Sequence, residues 1–64
     1  MTIFCPVGRM PSSTKEIYCV READLTETAA KRRFKNMYGY TSTRLVRIAK
    51  MEAREVAEER KGAA

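Results

Sequence analysis

The sequence predicts a small α+β domain, in the order β-β-α-β-α, with a helix packed on a short antiparallel sheet. Three observations predict it. Two runs rich in β-forming residues, 2–7 and 15–22, flank a stretch of turn formers. Residues 24–39 carry apolar positions at helical spacing between a start and a stop signal. A third apolar run, 44–50, contains β-branched Val46 and Ile48 and leads into an Ala-, Glu- and Arg-rich segment.

The first run, Thr-Ile-Phe-Cys-Pro-Val, reads as a short strand. Pro6 has no amide to give to a ladder, which predicts an edge position. Gly8, Pro11 and Ser12-Ser13-Thr14 make 8–14 a loop. In the second run Ile17-Tyr18-Cys19-Val20 is apolar on both faces, as in a strand covered on two sides. The pair forms a hairpin whose loop is longer than the tight two-residue kind. One register sets Cys5 opposite Cys19. The spacing predicts two small buried apolar side chains, with a disulfide as the alternative.

The central helix carries the clearest signals. Asp24 is placed to N-cap it, and Glu27, three residues on, fits the partner position of a capping box. Gly39 follows the last periodic residue, as a left-handed C′ residue does. At 100° per residue, Ala30, Phe34, Met37 and Tyr38 share one arc, with Phe34 the core anchor. Lys31, Lys35, Thr28, Arg32 and Asn36 lie opposite, and Arg33 lies on the flank. Residues 40–43 read as a polar turn. Residues 44–50 read as a strand with Val46 and Ile48 on one face, and 51–61 as a helix. A helix from 44 onward is the alternative, and it would gather Arg44, Arg47 and Lys50 into a basic arc. Tyr40 is expected to be partly exposed. Tyr18, Phe4 and Val20 would form an exposed apolar face if the helix covered only the Ile17/Cys19 side.

Sixty-four residues make one domain, spanning 1–61 with 62–64 as a tail. A chain this short buries only about 60% of its unfolded surface, so its core is marginal. No apolar run reaches the roughly 20 residues a membrane span needs, and the first residues lack the pattern of a signal peptide. A cytoplasmic location with reduced thiols is therefore expected. The net charge is +5. Residues 1–50 hold ten Lys/Arg against four Asp/Glu, whereas 51–64 hold three against four. The basic character thus belongs to the folded middle, which points to nucleic acid or an acidic protein surface as partner.

Catalytic chemistry finds little to work with. There is no His to serve as base, either for acid–base work or for a Cys nucleophile. Two Cys without His cannot complete a structural zinc site, and glycines at 8, 39 and 62 match no phosphate loop. Glu16, Glu22, Asp24 and Glu27 fit strand-surface charge and helix capping. The expectation is a chain that is not an enzyme and needs no metal or cofactor.

From Lys15 onward the chain partly resembles the ribbon-helix-helix family of dimeric DNA-binding regulators. Lys15 to Arg21 would be the ribbon, Asp24 to Tyr38 the first helix and Arg44 to Glu59 the second. Gly39-Tyr-Thr-Ser-Thr-Arg-Leu-Val-Arg looks like the inter-helix turn and second-helix start. The resemblance implies a dimer whose paired strands enter the major groove, and residues 1–14 lie outside it.

The function expected is non-enzymatic nucleic-acid binding by a small accessory regulator. Lys31, Arg32, Arg33 and Lys35 would carry the contacts, extended by Arg44 and Arg47. The alternative is a protein-interaction module, an inhibitor or adaptor that docks an acidic partner or caps a sheet edge. A homodimer is expected, because the core is marginal and the Ile17–Val20 run needs cover on both faces.

Overall fold

The computed structural model describes residues 1–39 and 42–62, and these form the predicted α+β architecture. Strands β1 (Thr2–Arg9), β2 (Glu16–Tyr18) and β3 (Arg44–Glu52) make one antiparallel sheet in the order β2-β1-β3. Helix α1 spans Glu27–Tyr38, and helix α2 spans Ala53–Gly62. A 3-10 turn over Val20–Glu22 links β2 to α1. The resemblance to ribbon-helix-helix proteins ends at β3. What would be the start of their second helix is a nine-residue strand paired with β1 from Thr2↔Glu52 to Arg9↔Arg44.

Strand β1 is central, not an edge, and Pro6 is among its most buried residues. The sheet tolerates Pro6 because of where its missing donor falls. Its carbonyl accepts the Cys19 amide on the β2 side, so its nitrogen faces that side too. There β2 has already ended at Tyr18, and the chain is turning away. Two residues back the ladder resumes, as Phe4 and Asp24 exchange both backbone bonds at 2.9 Å.

The second strand is shorter than its composition suggests. Only Glu16, Ile17 and Tyr18 pair, and all three are exposed, Ile17 by 44% and Tyr18 by 47%. Cys19 and Val20 leave the ladder and sink into the core. In the observed register Tyr18 faces Val7, so Cys19 stands beside Pro6 and not opposite Cys5. Both cysteines are free and buried. Phe4 is half-buried and Val20 buried, so no joint exposed face forms with Tyr18. The reason for expecting a dimer weakens accordingly, because one chain covers Cys19 and Val20 by itself.

The helices pack on opposite faces of the sheet. A Cβ on Gly8 would lie 2.9 Å from the Phe34 ring, so α1 covers the Gly8 face. Cys5 lies on the other face by strand alternation. It clusters with Val20, Ala23 and Val56, flanked by Ile3 and Met51. Helix α2 supplies Val56, and the Arg60 guanidinium ties it to the Val20 and Ala23 carbonyls at 2.9 and 3.0 Å. Among the described residues no helix is long and apolar enough to cross a membrane.

Three details of α1 differ from expectation. Thr26 is the cap, its hydroxyl accepting the Ala29 amide at 3.1 Å. Asp24 is held two residues earlier by its bridge to Phe4, and its carboxylate takes the Leu25 amide instead. Glu27 is then the first helical residue and closes no capping box. Gly39 is right-handed, at φ −63° and ψ −21°. It suits its place because a Cβ there would collide with the Lys35 carbonyl oxygen. Ala30 and Phe34 are buried and Tyr38 is half-buried, but Met37 is 61% exposed. The buried arc is narrower than the apolar one. Tyr40 and Thr41, part of the predicted turn, lie outside the described residues, as do positions 63 and 64.

Candidate nucleic-acid interface

Helix α1 presents its cations along a ridge anchored from below. Phe34 rests on Gly8 and stacks with Tyr38, ring centroids 4.9 Å apart. Lys31, Arg32, Arg33 and Lys35 all stay exposed. They then diverge. Lys31 and Lys35 lean toward β3, where they line a groove with Thr43 and Leu45. Lys31 also pairs with Glu27 at 3.7 Å, one turn earlier. Arg33 turns to the opposite flank. It donates to the Arg21 carbonyl at 3.1 Å and approaches the Asp24 carboxylate at 3.7 Å. Arg33 is therefore a strut between α1 and the 3-10 turn. Arg32, next to Lys31, is exposed and joins no ion pair among the described residues.

The β3 cations do not form one arc, because the segment is a strand. A bulge sets Val46 and Arg47 together opposite Val7, with Leu45 opposite Gly8. It also ends the alternation that would have put Val46 and Ile48 on one face. Arg47 shares the face of Val7 and Tyr18, away from α1. There it donates to the Tyr18 hydroxyl at 2.7 Å and to Glu16 at 3.3 Å, which raises its pKa further. Lys50 pairs with Phe4 and so points to the other face.

Arg44 lies at the hairpin end of the sheet, directly opposite Arg9. These two arginines border a cleft of about 560 Å³ with Ser13, Thr14, Leu45 and Val46. Leu45 lines both this cleft and the Lys31/Lys35 groove. The α1 groove and the arginine cleft thus adjoin at Leu45, but Arg9 and Arg44, on the face of Val7, project away from α1. Arg9 is not among the cations that the sequence singles out. It becomes visible only once β1 is known to lie between β2 and β3 and to run on to residue 9.

The interior is chemically quiet. Burial, then the neighbouring Cys19 and Glu22, push the Cys5 thiol up to about 11. Burial also raises Cys19, opposed by a hydrogen bond from Tyr38. Tyr38 is itself pushed up to about 12, mainly by burial and Cys19. Buried thiols with raised pKa values are poor nucleophiles. Glu22, expected at a strand surface, is only 5% exposed in the 3-10 turn. Among the described residues no three His, Cys, Asp or Glu gather as metal ligands.

Comparison with protein-family models, curated proteins and solved structures finds no match to this chain.

Proposed function

We propose that this chain is a small non-enzymatic nucleic-acid-binding protein with an accessory, regulatory role. The contact surface is the side where the α1 ridge meets the hairpin end of the sheet. One observation carries the reading: Lys31 and Lys35 border a groove at Leu45, and Leu45 also borders the cleft of Arg9 and Arg44. A nucleic-acid backbone crossing the end of the sheet at Leu45 would pass from Lys31 and Lys35 on the α1 face to Arg9 and Arg44 on the other. A helix fixed by Phe34 holds Lys31, Arg32 and Lys35 in place with little dependence on their charges, since Lys31 makes only an exposed pair with Glu27 and such pairs contribute little to stability. Contacts of this kind position a polyanion without reading its bases, so binding is salt-sensitive and weakly sequence-selective. The test is titration of generic duplex and single-stranded nucleic acid across a salt series. Binding below about 0.1 M salt that weakens linearly in log[salt] supports the reading. No binding at micromolar protein refutes it.

A second reading, docking of an acidic strand from another protein, is favoured by the outer edge of β3. Pro6 and Phe4 turn their backbone groups toward β2 and Asp24. Ile3, Cys5 and Val7 therefore bond β3 through Met51, Ala49 and Arg47. Ile48 and Lys50 consequently turn their peptide groups outward, with no fourth strand beside them among the described residues. Arg44, Arg47 and Lys50 along this strand oppose pairing with a second identical edge. They would welcome an acidic strand.

A further inference from the structure

We infer that Arg9 and Arg44 form a clamp for a phosphoryl group at the hairpin end of the sheet. This deepens the nucleic-acid reading by naming a specific anion subsite, but it rests on its own geometry.

Directly paired residues of antiparallel strands project from the same face, and like charges placed so repel. Arg9 pairs with Arg44 on one side and Glu16 on the other. Glu16 is the neighbouring carboxylate that could relieve the repulsion, but it is bound to Arg47 at 3.3 Å. No ion pair joins either Arg9 or Arg44 to an acid among the described residues. Two arginines thus occupy paired positions on one face, both exposed and without an ion pair among the described residues.

What lies beside them suits an oxyanion. The cleft they border is walled by the 10–15 loop, which contributes Ser13 and Thr14. The Ser13 hydroxyl oxygen accepts the Lys15 amide at 3.1 Å, which fixes that side chain and leaves its O–H free to donate outward. A turn from the Ser13 amide to the Met10 carbonyl, 3.1 Å, holds the loop against the strand end. Guanidinium donors match phosphate oxygens in bidentate fashion. A phosphoryl group brings up to two negative charges to two cations, and three oxygens to donors from two walls. A carboxylate brings one charge and two oxygens. The chemistry shared by the candidate ligands is therefore a phosphoryl group, either at the end of a nucleic-acid strand or on a small molecule.

The experiment is thermal denaturation of the full chain in inorganic phosphate against chloride at equal ionic strength, for wild type, Arg9→Gln and Arg44→Gln. Phosphate should raise the wild-type Tm in a saturable way, and either substitution should abolish the rise. In chloride each variant should melt at or above wild type, because the repulsion is gone. A phosphate increment that is absent in wild type, or retained by both variants, overturns the clamp. Lower melting of both variants in chloride also counts against it, since the pair would then be stabilising by itself. A second arm compares oligonucleotides with and without a 5′-phosphate. A preference for the phosphorylated strand that falls roughly tenfold in Arg44→Gln assigns the clamp to a strand end. Equal affinities, with the phosphate increment intact, assign it to a small phosphorylated ligand. Nucleic-acid binding without a phosphate increment refutes the clamp and leaves the proposed function standing. A phosphate increment without nucleic-acid binding does the reverse.

Discussion

The Thr26 hydroxyl satisfies one of the free amides at the start of α1, that of Ala29 at 3.1 Å. Thr26→Ala should therefore cost about 0.5–2 kcal/mol, read as a lowered denaturation midpoint. An unchanged midpoint would mean that α1 is capped elsewhere. Asp24 is the better cap by composition alone, yet its backbone is committed to Phe4. Local sequence does not encode such a long-range bridge, so the cap is legible as a cluster of polar residues but not as one residue. Cys5 and Tyr38 set the pH dependence. Both protonated forms are favoured by folding, with Cys5 raised from 9.0 to about 11 and Tyr38 from 10.0 to about 12. The unfolded chain therefore loses these protons first. Their stabilising contribution is complete below pH 9.0 and is lost as pH rises through about 11 and 12. Denaturation midpoints measured from pH 8 upward should fall across that window. In Cys5→Ala the fall should be smaller, because Cys19 and Tyr38, both also raised, remain, and an identical profile would show that Cys5 does not contribute.

At the scale of elements, α1 and the sheet are joined where Phe34 meets Gly8. Phe34→Ala should cost about 3–5 kcal/mol, enough to unfold much of so small a domain. Gly8→Ala should cost about 1–3 kcal/mol by overpacking the same junction, because the new methyl would press on a ring already stacked with Tyr38. Chemical denaturation of both variants checks this, and a neutral Gly8→Ala would mean that α1 sits further from the sheet. The Phe34 anchor is legible because helical periodicity acts within one element. The choice of strand for 44–50 is legible too, since Val46 and Ile48 favour it. The central place of β1 is not. Pro6 argues for an edge by its own chemistry, and only the early end of β2 at Tyr18 leaves its nitrogen without a required partner. The burial of Glu22 is hidden for the same reason: a run apolar on both faces can be a covered strand or a chain diving into a core.

Across the whole molecule, charge is divided between the ends of the sheet. Arg9 and Arg44 pair at the hairpin end, whereas Glu52 lies at the other and binds the terminal ammonium of Met1 at 3.2 Å. Helix α2, which follows Glu52, carries Glu55, Glu58 and Glu59 on exposed positions. The basic helix is legible from its charge run. The division of its cations is not, because it depends on which flank meets β3 and which meets the 3-10 turn. Lys31 and Lys35 face the first, while Arg33 is taken up by the second. The central claim is that the α1 ridge binds phosphates. Its most direct test is the salt dependence of nucleic-acid binding by Lys31→Gln/Arg32→Gln/Lys35→Gln, set beside Arg54→Gln/Lys61→Gln on α2 as a control that removes two positive charges from a different helix. The triple variant should stay folded, bind all sequences more weakly and flatten the log–log salt slope by roughly 0.7–0.9 for each phosphate no longer neutralised, with the α2 control close to wild type. A folded triple variant with wild-type affinity and slope, or an α2 control that weakens as much, would contradict it.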